Sequence, residues 1–239
     1  MKYQKRDYRN KVFNNRLKSF HVCVRETDLL VCSDTDLTNY ALQSIYKYRG
    51  HIESYIKYHP QFLSSLQPLV YDEFAPDIIR DMLKTTSTAS VGPMASVAGA
   101  VAEYVCNDLL YYSKNVIVEN GGDIYLKTES DVRVAIYAGN SPLSYKVNIL
   151  LKQDKMPVGI CTSSGTVGHS LSFGNADAVC VISKSSTMAD AAATAIGNMV
   201  QNKNDLKIAL ETGKQIDGVL GIAIIVGEHF GAIGDVEII

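Results

Sequence analysis

The sequence lacks several features that would place it in a common class of protein. Its 239 residues contain no apolar run of the roughly 18 residues that a membrane-spanning helix needs, and the N-terminus has no apolar signal segment. The formal net charge is only −2, which gives no global electrostatic case for binding nucleic acid or a membrane surface. We therefore expect a soluble cytoplasmic protein with neither of those partners.

Cysteine pairs and the common catalytic motifs are also missing. The five cysteines are odd in number, and no two of them form a C-x-x-C pair, which argues against a disulfide framework and a zinc knuckle. The sequence has no G-x-x-x-x-G-K-[ST], H-E-x-x-H or G-x-S-x-G, and no G-x-G-x-x-G follows a predicted strand. P-loop, Rossmann, zincin and hydrolase functions are thus unsupported, whereas a less common phosphate site stays open.

Positive charge is concentrated in the first eighteen residues, where Asp7 is the lone acid. Tyr3, Tyr8 and Phe13 lie between the charges, as they do in some nucleic-acid-binding arms. No known motif organises these residues, so the solvated face of a strand or hairpin is the favoured interpretation. The basic residues are Lys2, Lys5, Arg6, Arg9, Lys11, Arg16 and Lys18.

Hydrophobic patterns predict helices mainly in the first half of the chain and strands in the second. Residues 18–32 predict a strand, turn and strand around 26–28, and 37–58 predict a helix that Pro60 ends. Pro76 should begin a second helix at its first position, and Gly92-Pro93 a third that runs to about Tyr112. Further strands are predicted at 116–119, 124–127 and 132–138, and near 147–151, 178–183, 219–226 and 236.

The short turns between these strands favour antiparallel hairpins over parallel crossovers. The fold class is therefore α+β, with mostly antiparallel sheets and flanking helices. A length of 239 residues suits one domain with a substantial core. The tyrosine-rich first half and glycine-rich second half are also compatible with two intimate subdomains, about 1–113 and 114–239, that meet at a cleft.

A stretch of small residues follows Gly92-Pro93 in the third predicted helix, from Ala95 to Ala102. Such a face lets another backbone approach closely, which is the favoured explanation. The alternative is a helix N-terminus that faces an anionic ligand.

Asp190 and Thr194 are the strongest candidates for metal ligands from the residues alone. The sequence from Ala189 to Ala195 predicts a helix, so these two side chains lie on one face, one turn apart. A carboxylate and a hydroxyl suit Mg²⁺ that also contacts a phosphate. Two structural alternatives remain: Thr187 and Asp190 have the spacing of a capping box, and Thr194 could bond back to the carbonyl four residues earlier.

Two glycine-containing segments are candidate ligand loops. Asn120-Gly121-Gly122 predicts a hairpin turn, while Glu119 and Asp123 beside it could also hold a hydroxylated ligand against bare backbone. The hydroxyl-rich segment 162–170 follows an apolar strand and could present donors to an anion. His169 in that segment is either a general base or a structural histidine.

Four ordered motifs resemble those of the ApbE-like flavin transferases, and most closely an uncharacterised branch beside that family. They are Gly92-Pro93-Met94-Ala95, Glu119-Asn120-Gly121-Gly122-Asp123-Ile124, Thr162-Ser163-Ser164-Gly165 and Ala189-Asp190-Ala191-Ala192-Ala193-Thr194-Ala195. The resemblance extends from about Val91 to the C-terminus. It implies an ApbE-like, T-fold-like architecture.

The resemblance also implies a function. The flavin transferases bind FAD and Mg²⁺, and they break the pyrophosphate to move FMN onto a threonine or serine of an acceptor protein. Asp190, Thr194 and the carbonyl of Ala95 would then hold the metal, and His169 would be the base. Glu119, Asn120, Gly121, Gly122 and Asp123 would line the flavin nucleotide site, with Thr162, Ser163, Ser164 and Gly165 facing its phosphates.

Two departures from the family pattern bear on the activity. Ser96 and Val97 stand where the flavin transferases have lysine and glycine, and the family's segment with histidine, aspartate and proline is compressed to 167–173. We therefore expect either a Mg²⁺-assisted enzyme that acts on a flavin or other nucleotide, or a non-catalytic binding protein on the same scaffold. The acceptor protein is unknown, and alanine-rich helix faces and edge strands are compatible with a homodimer.

Overall fold

The computed structural model describes residues 17–165 and 173–239. Within these ranges there are ten strands and six α-helices. The strands are Lys18–Val24 (β1), Thr27–Ser33 (β2), Val116–Asn120 (β3), Asp123–Lys127 (β4), Val132–Ala135 (β5), Asn148–Leu151 (β6), Val158–Ser163 (β7), Ala178–Ser183 (β8), Val219–Val226 (β9) and His229–Gly234 (β10). The helices are Thr38–Tyr58 (α1), Gln61–Ser64 (α2), Asp77–Ala89 (α3), Val97–Leu109 (α4), Ser186–Met199 (α5) and Leu206–Gly213 (α6).

Eight of the described strands form one antiparallel sheet in the order β1-β2-β3-β4-β7-β8-β9-β10. Strands β5 and β6 form a separate antiparallel pair. Helices α4 and α5 pack on one face of the large sheet, which we call the helix face. The small pair contributes to a core on the opposite face, which we call the inner face. The predicted α+β class with antiparallel sheets is confirmed.

Side chains alternate between these two faces along each strand. On β3, Val116 and Val118 join the core under the helices, whereas Ile117 joins the core of the inner face. The same alternation on β7 turns Cys161 toward the helices and Ile160 toward the inner face. Because both faces are covered, the central strands are apolar along most of their length.

Several boundaries differ from the sequence predictions. Pro76 precedes α3 as its N-cap, and Gly92-Pro93 leads into a 3₁₀ turn at Pro93–Ser96 before α4, which ends at Leu109. The last strand is His229–Gly234 and not a segment near Val236. Gly234 has φ 80°, which takes the chain out of the sheet, and the following residues contact β6 through an Ile149–Ile238 bridge.

No helix in the described parts of the chain is long and apolar enough to cross a membrane. All five cysteines are free, and four of them are buried, as expected for small apolar side chains. Most of the basic N-terminal stretch and His169 lie outside the described residues.

Candidate functional site

Three of the four sequence motifs, those that contain Asp123, Thr162 and Asp190, lie close to one another and to the start of α4 on the helix face. The β3–β4 hairpin turns through Gly121 and Gly122, whose φ values of 71° and 112° are ones that L side chains rarely adopt. The predicted turn is thus confirmed. It places Asn120 opposite Asp123 and brings the Asn120 amide within 3.1 Å of the Ala98 carbonyl oxygen in α4.

Asp123 is a buried carboxylate at the first position of β4. It pairs with Cys161 of β7, whose thiol donates to the Ser186 carbonyl oxygen at 3.3 Å. The Cys161 side chain and the Thr162 backbone N–H also lie close enough to the Asp123 carboxylate to lower its pKa. Burial raises the pKa of Asp123 well above its usual value, and the nearby charge of Asp190 raises it further. The structure therefore brings together an acid from the glycine motif and an acid from the alanine-rich helix.

Asp190 lies on α5 and caps a different helix. Its Oδ2 atom accepts a hydrogen bond of 2.9 Å from the Gly99 N–H, and the Ala98 N–H also donates to this carboxylate. Burial raises the pKa of Asp190 to about 7, although these two hydrogen bonds oppose the shift. Two backbone N–H groups near the N-terminus of α4 therefore already donate to a protein carboxylate. This arrangement argues against the alternative interpretation, in which the N-terminus of this helix binds an anionic ligand.

Glu103 of α4 makes the reciprocal contact with the N-terminus of α5. Its Oε2 atom accepts from the Ser185 hydroxyl at 2.7 Å and from the Thr187 N–H and hydroxyl at 3.1 Å each. Ser185 is the N-cap of α5, and its hydroxyl accepts from the Met188 N–H. The capping-box interpretation of Thr187 and Asp190 is wrong, because α5 begins before Thr187 and Asp190 bonds to α4.

Small residues allow α4, α5 and β7 to approach one another closely. A Cβ atom on Gly99 would lie 2.2 Å from the Ser186 carbonyl oxygen and 2.8 Å from the Asp190 Cβ. A Cβ atom on Gly159 would lie 2.5 Å from the Ser186 backbone nitrogen. Close packing is therefore confirmed as the reason for glycine at position 99.

Thr194 and Ala95 lie beside the same part of α5. Thr194 is half-buried one turn after Asp190. Ala95 belongs to the 3₁₀ turn before α4 and packs, with Ala195, against the small cluster that contains Ala191. The two further ligands that the resemblance implies are thus carried by segments in contact with each other.

The Thr162–Gly165 motif spans the end of β7 and the residues after it. Thr162 bonds to Asp123 through its backbone, and the buried Ser163 hydroxyl has no hydrogen-bond partner among residues 17–165 and 173–239. Gly165 donates to the Ala176 carbonyl at 2.9 Å, and a Cβ atom on it would lie 1.9 Å from the Gly174 oxygen. This motif therefore borders Asp123 directly, while His169 falls outside the described residues.

Glu119 is directed away from this group. The alternation of β3 puts it on the inner face, where its charge raises the pKa of Cys32, and its Oε1 atom accepts from the Gly122 N–H at 2.9 Å. The Glu119 side chain therefore stabilises the β3–β4 hairpin from the face opposite Asn120 and Asp123.

The donor set at Asp123 and Asp190 fits a divalent cation. Two buried carboxylates interact unfavourably as like charges, and none of the described groups that shift their pKa values is a lysine or arginine. A small cation with oxygen ligands would relieve that repulsion. Across residues 17–165 and 173–239 no three His, Cys, Asp or Glu side chains cluster as a metal site, so the backbone carbonyl and the hydroxyl would complete the set.

Sequence reasoning missed Glu103 and Cys161. Glu103 is the lone charged residue between Val97 and Asn107, and an isolated acid in an apolar helix was a usable signal. Cys161 gave no comparable signal, because its contact with Asp123 depends on the pairing of β4 with β7.

Solved structures of ApbE proteins share this fold. The apo flavinyl transferase ApbE of Pseudomonas stutzeri is 16% identical, with a TM-score of 0.56 and coverage of 93% of this chain and 95% of that one. The ApbE protein of Thermotoga maritima is 11% identical, with a TM-score of 0.56 and coverage of 90% and 96%. At these identities the likeness establishes an ApbE-like fold.

Closer relatives are found among methanogens. A UPF0280 protein of Methanococcus aeolicus is 43% identical over 221 residues, which cover 90% of this chain and 89% of the relative. The UPF0280 protein of Methanocaldococcus jannaschii is 43% identical over 221 residues, or 90% of each chain. The family model described as "AbpE bacteria" matches residues 10–228. The chain therefore belongs to this ApbE-like family, together with the UPF0280 proteins.

Proposed function

We propose that this protein binds a flavin nucleotide or another phosphate-bearing ligand with the help of Mg²⁺, and that it cleaves the pyrophosphate of FAD or transfers its FMN part to a protein serine or threonine. The observation that carries the proposal is the pair of buried carboxylates, Asp123 and Asp190, in electrostatic contact on the helix face. Burying two like charges side by side costs stability, and a bound cation supplies a reason for keeping them.

Four groups would hold the ion: the carboxylates of Asp123 and Asp190, the Thr194 hydroxyl and the Ala95 carbonyl. Bound there, Mg²⁺ would neutralise negative charge on the phosphates of the ligand. The pKa of Asp190, raised by burial to about 7, means that this carboxylate is largely ionised above that pH.

The neighbouring segments suit the remainder of such a ligand. The bare backbone of Gly121 and Gly122 permits close approach of a ligand. The Ser163 hydroxyl, which has no partner in the described parts of the chain, could donate to a phosphate oxygen. The acceptor hydroxyl in a transfer must lose a proton, and His169 is the residue to which the resemblance assigns that step.

The test is to incubate purified protein with FAD, with and without Mg²⁺, and to identify products by mass spectrometry. We expect AMP together with FMN, or with an FMN-protein adduct when an acceptor is present. Asp190→Asn should abolish the Mg²⁺-dependent product while keeping a side-chain oxygen that can cap α4. Thr194→Ala should lower it strongly.

Glu103→Gln provides the matched control. It also removes a buried carboxylate at the junction of α4 and α5, but one that accepts hydrogen bonds from Ser185 and Thr187. We expect its turnover to stay close to that of the unaltered protein. Equal turnover in Asp190→Asn, Thr194→Ala and the unaltered protein would overturn the assignment.

A non-catalytic binding protein is the second candidate, and Ser96 favours it. This residue stands where the flavin transferases have lysine, and here its side chain is fully buried with its hydroxyl donating to the Pro93 carbonyl at 2.9 Å. It therefore supplies no cation to a ligand. Quenching of FAD fluorescence on titration with protein and Mg²⁺, without AMP or FMN in the products, would support this candidate.

A further inference from the structure

The two edges of the large sheet carry complementary features. Among the described strands, β1 and β10 each have one hydrogen-bonded neighbour, so each offers a row of backbone groups along its other side. Natural edge strands are often protected by internal charges or proline. Strand β10 has neither in His229–Gly234, and β1 has a charge only at its first residue, Lys18.

The direction of the strands permits the two edges to pair between copies. All seven pairings in the eight-stranded sheet are antiparallel, so β10 runs opposite to β1. Suppose that a second copy lies beside the first, in the same orientation and with its helices on the same side of the sheet. Strand β10 of the second copy then runs antiparallel to β1 of the first, so the two sheets form one continuous antiparallel sheet.

The orientation of the side chains restricts the register of this pairing. On β1, Val22 and Val24 point to the helix face. On β10, Ile233 points to the helix face and Phe230 to the inner face. Directly opposed residues in antiparallel strands share a face. Even-numbered residues of β1 must therefore oppose odd-numbered residues of β10.

Charge selects one of the registers that remain. When Phe20 opposes Ile233, the residues just beyond the two strands at one end place Arg25 opposite Glu228. The Arg25 side chain is 68% exposed, although it also contacts Glu53 at 3.0 Å, and Glu228 is exposed. In the same register Cys23 opposes Phe230, which would bring together the exposed cysteine and a half-buried phenylalanine on the inner face.

We propose that this chain self-associates head to tail, with β1 of one copy pairing antiparallel with β10 of the next in the register that sets Arg25 against Glu228. The contact is heterologous, because it joins two different surfaces of the same chain. The proposal is independent of the function of the Asp123 and Asp190 site.

Cysteine cross-linking tests both the contact and the register. Opposed Cα atoms in antiparallel strands are about 4.5–5.5 Å apart, within the range of about 4.4–6.8 Å that a disulfide spans. Phe230→Cys, oxidised with copper phenanthroline, should therefore link to Cys23 of another copy and give a product of twice the chain mass or a higher multiple on a non-reducing gel.

Two variants serve as controls. Residue 232 is two positions after Phe230 on the same face of β10, so it would lie diagonally across from Cys23 at about 7–8 Å. Ala232→Cys should therefore not cross-link. The double variant Phe230→Cys with Cys23→Ser should stay at the single-chain mass. Cross-linking of Ala232→Cys as fast as Phe230→Cys, a disulfide confined within one chain, or no link in folded Phe230→Cys would overturn the proposal.

A charge exchange gives a test that does not alter the apolar contact. Glu228→Arg should place two arginines together and weaken association about tenfold in sedimentation equilibrium. Adding Arg25→Glu should restore most of it. Asp217→Arg makes the same charge change at an exposed position between α6 and β9 and should leave association unchanged. A monomeric unaltered protein at tens of micromolar, or equal effects of Glu228→Arg and Asp217→Arg, would refute the contact.

Discussion

Glu103 and Asp190 are buried carboxylates that perform the same structural task in opposite directions. Glu103 of α4 bonds to the first turn of α5, and Asp190 of α5 bonds to the first turn of α4. Negative charge at a helix N-terminus is favourable, which accounts for both. The two differ in their surroundings. Asp190 adjoins a second buried carboxylate, Asp123. Glu103 accepts from hydroxyl and amide donors, and the acid whose charge raises its pKa, Asp81, is exposed.

This difference separates a structural acid from a functional one. Capping explains why each helix has a carboxylate at its start, and for Glu103 it is a sufficient explanation. It does not explain Asp123, whose pKa is raised by burial and by Asp190. Among the described residues, two buried carboxylates adjoin each other at the Asp190 end of the junction, and that end is where we propose the cation.

The largest expected effect comes from separating the two helices. Gly99→Ala would put a methyl group 2.2 Å from the Ser186 carbonyl oxygen, so α4 and α5 would have to move apart. We expect the free energy of unfolding to fall by about 3 kcal/mol, at the upper end for overpacking. Urea titration followed by circular dichroism measures it.

Gly50→Ala is the matched control for this change. Gly50 is exposed in α1, and a Cβ atom there meets nothing within 4 Å. Because alanine favours a helix over glycine by about 1 kcal/mol, this variant should be slightly more stable than the unaltered protein. Similar losses in both variants would show that the junction is not closely packed.

The second largest effect on the free energy of unfolding should come from removing Glu103. Glu103→Ala leaves the Thr187 N–H and the Ser185 and Thr187 hydroxyls without their acceptor. The unfolding free energy should fall by about 1–3 kcal/mol, the usual cost of buried donors that lose their partner. Glu103→Gln keeps an acceptor oxygen and should lose less. A loss of Mg²⁺ binding in folded Glu103→Gln would remove the distinction between the two acids.

Asp190→Asn should behave differently in the absence of metal. The asparagine oxygen can still accept from Gly99, and the like-charge interaction with Asp123 disappears. We expect metal-free Asp190→Asn at pH 8 to be as stable as the unaltered protein or more stable, by up to about 1 kcal/mol. Thermal unfolding in EDTA measures this, and a clear loss of stability would mean that Asp190 is mainly a structural cap.

The smallest effect is a pH dependence due to Glu103. Burial raises the pKa of Glu103 above its ordinary 4.5, so the folded protein holds this proton to a higher pH than the unfolded chain does. The unfolding free energy should therefore fall as pH rises above 4.5. Glu103→Gln lacks that group and should show a shallower fall in urea titrations between pH 4.5 and 7. Identical slopes would contradict the shift.

Local features could be predicted from the sequence, and long-range contacts could not. The turn at Gly121-Gly122 and the helix that carries Asp190 follow from glycine conformation and helical spacing within a few residues. The Asp190 bond to Gly99 joins residues 91 positions apart, and the Glu103 bond to Thr187 spans 84. No local pattern contains that information, so the capping role of Asp190 was assigned to the wrong helix.

The pairing of Asp123 with Asp190 illustrates the same limit. Sequence motifs put the two acids in separate groups, one beside the flavin nucleotide and one at the metal. Their contact depends on β4 pairing with β7 and on α5 packing over β7. Strand order is set by the whole sheet, and it decides which motifs form one site.

Calorimetric titration of the metal-free protein with Mg²⁺ at pH 8 tests the central claim most directly. We expect one site in the unaltered protein and in Glu103→Gln, and at least tenfold weaker binding in Asp190→Asn and in Asp123→Asn. Unchanged affinity in both aspartate variants, or no binding by the correctly folded unaltered protein, would contradict the account.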